Sequence, residues 1–188
     1  VSVPSGAAAR ATDAAAEGES ADLASIAAQW ERELPALDLR SFLVSSSILR
    51  LAARIEREFT AKSRDRGLGP GDMRVLLTLR RSGPSYALSP TALFRSLMVT
   101  SGAVSKQVDR LAELGLVERT ADPDQLRGVL IRLRPAGRAV AEDMMREVCT
   151  SFAGLEGLPD ATAGTVLAAL GAVRDVLDAA EQATGAPS

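Results

Sequence analysis

Residues 89–134 read SPTALFRSLMVTSGAVSKQVDRLAELGLVERTADPDQLRGVLIRLR, and this run decides the fold. Ser89-Pro90 is a helix start, because a serine side chain satisfies free amide groups and proline suits the first helical position. Leu93 and Leu97 then recur on one face. A second helix begins near Thr100-Ser101, with Val104, Val108 and Leu111 at helical spacing. Gly115 reads as its stop, since glycine takes the left-handed turn that closes a helix, and Leu116 follows to pack on the last turn. Leu116-Val117-Glu118-Arg119 and Val129-Leu130-Ile131-Arg132-Leu133 read as strands around a charged tip running from Ala121 to Gly128.

The other face of the second helix carries Ser101, Gly102, Ala103, Lys106, Gln107 and Arg110. The small residues let another surface come close, and the long donors reach base edges or phosphates. Two helices with a tight join and a hairpin wing behind them form a helix-turn-helix pattern. At these residues MVTSGAVSKQVDRLAELGLVERTADPDQLRGVLIRLRPAGR resembles the winged helix-turn-helix core of the MarR family of transcriptional regulators. The resemblance extends from roughly Leu39 to Ala180.

The resemblance implies a mainly α fold with a small β-hairpin wing and a helical dimerisation region. It implies a homodimer that binds a pseudo-palindromic operator in double-stranded DNA, more often as repressor than activator. It also implies a small-molecule effector, often anionic or phenolic, between the dimer helices and the DNA-reading lobe. The expected DNA-binding set is Thr100, Ser101, Ala103, Ser105, Lys106, Gln107 and Arg110 on the helix, with Gln125 and Arg127 in the wing. In the family an arginine at the place of Arg127, within a DxR triplet, enters the minor groove. Here the triplet is Gln125-Leu126-Arg127, so an amide replaces the acid that commonly braces the arginine, and it is the weaker partner.

The chain has 188 residues, enough for one domain with a real core and an added helical layer. Aromatics are only 3%, so packing must come from Leu, Val, Ile and Ala. The net charge is -2, which argues against a general nucleic-acid coat. Its distribution matters more. From Arg95 to Arg138 eight basic residues face five acidic ones, a local +3, which leaves -5 for the remainder. A mildly basic face on an acidic body fits a protein that grips DNA at one surface.

With one cysteine and no histidine, the sequence excludes an internal disulfide, zinc sites built on histidine or several cysteines, and His-based catalytic triads. An enzyme is therefore not expected, and neither is a metal or cofactor. No apolar run reaches membrane-spanning length and no secretory signal opens the chain, so a cytoplasmic location is expected and no membrane partner. Asp122-Pro123-Asp124 before Gly128 is read as a turn, because Leu133 stands where a calcium loop needs glutamate. Cys149, among Met145, Val148 and Phe152, is read as a buried, inert thiol.

Outward from the core, residues 1–19 are rich in Ala, Gly and Ser and read as a disordered tail. Residues 20–35 read as an extra helix with Leu23, Ile26, Trp30 and Leu34 on one face, ended by Pro35. Residues 36–66 and 135–183 form the expected helical dimerisation region, and 67–134 the DNA-binding domain. Gly67 to Gly71 is expected to be a join rather than a phosphate loop, since no Lys-Ser/Thr pair follows. The next helix is expected from Asp72, and Tyr86-Ala87-Leu88 as a short strand against the hairpin. A leading helix with a tryptophan resembles the urate-responsive subgroup, where that helix covers the ligand pocket. The chain departs from that subgroup at Met73-Arg74, in place of an acid, and at Gln107, in place of an arginine. Trp30, Arg50 and Arg74 are the effector-binding candidates. The competing reading is a winged-helix module that binds protein and not DNA.

Overall fold

The structure, a computed structural model, describes residues 23–97, 101–123 and 128–184, with backbone alone at 101–103 and 184. Thr100, Gln125, Arg127 and the tail before residue 20 lie outside the described residues, as do the side chains of Ser101 and Ala103.

Seven helices and three short strands follow in order among the described residues. They are α1 over 23–33, α2 (Arg40–Asp65), α3 (Pro70–Arg81), β1 (Ala87–Leu88), α4 (Pro90–Leu97), α5 (Ser101–Glu113), β2 (Val117–Ala121), β3 (Val129–Leu133), α6 (Pro135–Thr150) and α7 (Asp160–Thr184). A 3-10 turn, Leu155–Gly157, joins the last two helices. The chain divides into two compact units, one ending at Arg57 and one beginning at Glu58, so the boundary falls inside α2.

In the first unit, α1 closes where Leu34 N–H reaches the Trp30 carbonyl at 2.8 Å, just before Pro35. Arg40 opens α2 with a forked contact to Asp38, Nε to Oδ2 at 2.9 Å and Nη2 to Oδ2 at 2.6 Å. Along α2, the apolar residues Val44, Leu51 and Ile55 are exposed.

The second unit holds the core. Met73, Leu76 and Leu79 of α3, Leu93 of α4 and Leu111 of α5 are fully buried, together with Ile131 of β3 and Met144 of α6. The sheet is antiparallel in the order β1-β3-β2, with Ile131 opposite both Leu88 and Arg119. The strand expected at Tyr86-Ala87-Leu88 forms as the two-residue β1. α3 begins at Pro70, two residues before the expected Asp72, because proline fits the first turn and Asp72 reaches back to accept Gly69 N–H at 3.0 Å.

Polar ties hold α6 in place at both ends. Lys62, near the end of α2, contacts Glu147 at 2.5 Å, and Arg66 contacts both Asp143 and Glu147 at 2.6 Å. At the other end the Tyr86 ring lies under two guanidinium groups, Arg80 and Arg138, each 5.0 Å from its centroid. Both arginines also bind Glu142, at 2.8 and 2.7 Å. Tyr86 has a positive φ of 47° and its carbonyl accepts Leu133 N–H at 2.8 Å. The first turn of α6 comes so near the sheet that a Cβ at Gly137 would run into the Leu116 carbonyl.

One expectation for α6 is corrected. Cys149 is exposed, not buried, and Met145 is exposed beside it. Ala141 and Met144 set the buried line, with Val148 partly buried behind them. Residues 145 and 149 follow 144 and 148 by one position, which turns them about 100° away from the core.

Candidate nucleic-acid interface

α4 and α5 form as the caps and periodicity demand. Ser89 Oγ accepts the Ala92 N–H at 3.2 Å, closing the start of α4. In α5, Val104, Val108 and Leu111 are 4%, 2% and 0% exposed, which fixes the helix's rotation. Gly115 takes φ +69°, and Leu116 N–H returns to the Leu111 carbonyl at 2.9 Å, so the helix ends in a left-handed glycine turn.

That rotation leaves Ser105, Lys106, Asp109 and Arg110 exposed along the outer face. Lys106 forms no ion pair or hydrogen bond among the described residues, so its ammonium group stands ready for an external acceptor. Arg110 is different. Its Nε lies 3.2 Å from Asp72 and its Nη2 donates to the Gly67 carbonyl at 3.3 Å. The Asp72 carboxylate is buried, so α5 is pinned by charge to the start of α3 while the arginine remains 58% exposed. Arg119 on β2 pairs with Asp109 at 2.7 Å and ties the wing to the same helix.

Gln107 does not join the outer row. It is half-buried, its Oε1 is shielded with no hydrogen-bond partner among the described residues, and its amide lies against Gly71. A sequence pattern ranks Lys106, Gln107 and Arg110 together as long donors; three-dimensional packing separates them into one open, one withdrawn and one tethered group.

Behind α5 a cavity of about 230 Å³ lies between α4, α5 and the hairpin, walled by Phe94, Val104, Val108 and Ile131 with Ser105 and Arg119 at its polar side. A second, wider groove of about 700 Å³ runs between α3 and α6. Leu77, Met145 and Cys149 give it an apolar floor, with Arg81 and Arg146 among its cationic groups. Of the effector candidates, Trp30 is 45% exposed and Arg50 partly buried in the first unit. Arg74 belongs to the second unit, with its guanidinium 4.8 Å above the Phe59 ring.

Asp72 and Gly71 are residues that sequence reasoning missed. Asp72 reads locally as a helix-start acid, and nothing in the pattern announces a partner as remote as Arg110. Among the described residues no cluster of His, Cys, Asp and Glu fits a metal ion, and no helix is long and apolar enough to cross a membrane.

Residues 66–128 match the model of the MarR family. The HTH-type transcriptional regulator PecS of Dickeya dadantii is 29% identical over 126 residues, covering 67% of this chain and 76% of that protein. The multiple antibiotic resistance protein MarR of Salmonella typhimurium is 38% identical over 69 residues, 37% of this chain and 46% of that protein. Among solved structures, Sco5413, a MarR family transcriptional regulator from Streptomyces coelicolor, matches with a TM-score of 0.64 and 26% identity, covering 75% of this chain and 97% of that one. PecS and Sco5413 are by name transcriptional regulators.

Proposed function

We propose that this chain, which carries the winged helix-turn-helix domain of the MarR family, is a transcriptional regulator that binds operator DNA as a homodimer and releases it when a small effector binds. The observation that carries the reading is the pose of α5, whose apolar line is buried while Ser105 and Lys106 face outward beside a three-stranded wing.

In this reading α5 enters the major groove with its small first turn leading. Lys106 donates to guanine or to a phosphate, and Ser105 makes a short contact beside it. Arg110 keeps the helix at its angle through Asp72 and offers its remaining donors to the backbone. Ser101 and Ala103 allow close approach, with Thr100 before them. Arg127, with Gln125 beside it, extends to the minor groove. One such helix makes few phosphate contacts. A twofold pair doubles them and matches half-sites about 10 base pairs apart. The exposed apolar residues of α2 and α7 support pairing, because Leu51, Leu167, Val176 and Leu177 are each about 60–70% uncovered in the single chain. Repression follows where the operator overlaps a promoter.

An effector with an apolar body and a negative group suits the chemistry of the α3–α6 groove. Trp30, Arg50 and Arg74 remain the sequence-based candidates for effector contact. Bound in the α3–α6 groove, the molecule lowers DNA affinity by favouring a spacing of the two α5 helices that the DNA grooves reject. By linkage, DNA then weakens the effector by the same factor.

The deciding experiment is a fluorescence-anisotropy titration of duplexes from intergenic regions next to divergent genes, repeated across salt concentrations. Saturable binding to some duplexes over others, with log K falling steeply as log salt rises, is expected. Equal, weak binding to every duplex, or no dependence on salt, rejects the reading in favour of a protein-binding winged helix.

A further inference from the structure

Glycine inside a helix is unfavourable by about 1 kcal/mol against alanine, so one that has an ordinary backbone there calls for a packing reason. Gly71 is such a residue. It lies in the first turn of α3 and is not among the glycines with positive φ. A Cβ built at Gly71 would run into the side-chain amide of Gln107, which is the far end of a flexible group on α5. Gln107 occupies the notch without a hydrogen bond to its Oε1 among the described residues. The notch therefore shields the amide oxygen and leaves it without a protein partner among the described residues.

We infer that Gly71 is a specificity-determining residue: by having no side chain, it lets α3 withdraw Gln107 from the row of α5 groups that meets the bases. This rests on the reading of α5 as the DNA-contacting helix. A glutamine amide presents the donor and acceptor pair that fits the major-groove edge of adenine. Held against Gly71 with its Oε1 shielded, it cannot present that pair. Readout by the wild-type chain thus falls to Lys106, Ser105 and the first turn of α5. A methyl group at position 71 fills the notch, and the movable partner is the glutamine side chain rather than a helix backbone. Gln107 then swings out next to Lys106 and adds an adenine preference.

The test is selection of bound duplexes from a pool with randomised half-sites, using the full chain and single and double variants, each checked by circular dichroism and thermal melting. Gln107→Ala in the wild-type background is expected to leave the base preference unchanged to within about twofold. Gly71→Ala is expected to gain at least about fivefold preference for adenine at one position per half-site. The double variant, Gly71→Ala with Gln107→Ala, is expected to return to the wild-type preference. A changed preference in Gln107→Ala alone overturns the proposal, as does a folded Gly71→Ala with wild-type preference, or a shift that survives loss of Gln107. Should Gly71→Ala fail to fold, Gln107→Ala alone decides: unchanged preference supports the proposal and altered preference defeats it. Failure of the wild-type chain to enrich any duplex rejects DNA reading as well, whereas normal enrichment with the wrong variant pattern rejects the Gly71 role only.

Discussion

At the scale of single residues, Lys106 is the group whose removal should matter most for little structural change. It is exposed and forms no ion pair or hydrogen bond among the described residues, so truncation leaves no internal polar partner among them stranded. Lys106→Ala is expected to weaken operator binding by about 1–3 kcal/mol with an unchanged melting temperature. Anisotropy titrations at two salt concentrations separate its possible targets. Loss of a phosphate contact lowers the salt slope by about 1 and weakens all duplexes alike, whereas loss of a base contact relaxes one operator position. Retained affinity and retained salt slope would remove Lys106 from the interface. Arg110 differs, since that guanidinium is already engaged by Asp72 and Gly67.

Individual elements show how far local chemistry determines structure. The Ser89 cap, the Val104, Val108, Leu111 line and the glycine at 115 were all readable, because each acts on neighbours within one or two turns. So were β3 and its partners, because alternation along Val129 to Leu133 leaves Ile131 and Leu133 on the buried side. The Asp72–Arg110 tether, the Gln107 notch and the Tyr86 joint were not readable, because each links elements far apart in sequence and depends on side-chain direction. Cys149 shows the finest limit: a one-residue step on a helix exchanges interior for surface, and a run of Met, Val and Cys does not reveal which side faces in. Two predictions belong at this scale. Gly137→Ala places a methyl against the Leu116 carbonyl, a backbone atom that cannot rotate away. A loss of about 1–3 kcal/mol in urea unfolding is expected, and a stability equal to wild type would show that α6 has room to retreat. The second concerns the ladder joining α2 to α6. The hydrogen bond from Lys62, with Arg66 behind it, holds the Glu147 carboxyl below its ordinary value of 4.5. A carboxylate with a lowered folded-state pKa stabilises the fold above its unfolded value, and that contribution disappears as pH falls through the lowered one. Lys62 is raised above 10.5 by Glu147, so its share persists through neutral pH and is lost only in strong alkali. Melting temperature followed from pH 7 downward should therefore drop below about pH 4.5, and Glu147→Gln should start lower at neutral pH and flatten that acid limb. Parallel curves for the two proteins would mean the ladder contributes nothing.

For the whole molecule, the distribution of apolar surface is the dominant fact. α7 leaves Leu167, Leu170, Val176 and Leu177 uncovered, and α2 leaves Leu49 and Leu51. A lone chain with that much exposed leucine invites association. Sedimentation at micromolar concentration should give a dimer, and Leu170→Lys with Leu177→Lys should shift it to monomer while weakening operator binding in proportion. A wild-type monomer would defeat the pairing, and so would a dimer indifferent to both lysines. The division at Arg57 has a further, optical consequence. The chain has one tryptophan and one tyrosine, and they fall on opposite sides of that division, Trp30 before it and Tyr86 after it. Excitation at long ultraviolet wavelengths reports on Trp30 alone, while the phenol ring packed against Arg80 and Arg138 adds to the near-ultraviolet dichroism, once the indole bands are subtracted, a signal from the wing joint. The protein thus carries two native spectral labels, one for each unit, and needs no added dye. Coincident melting of the two signals would mark a single cooperative transition, and a gap between them would show in one heating run which unit loosens first.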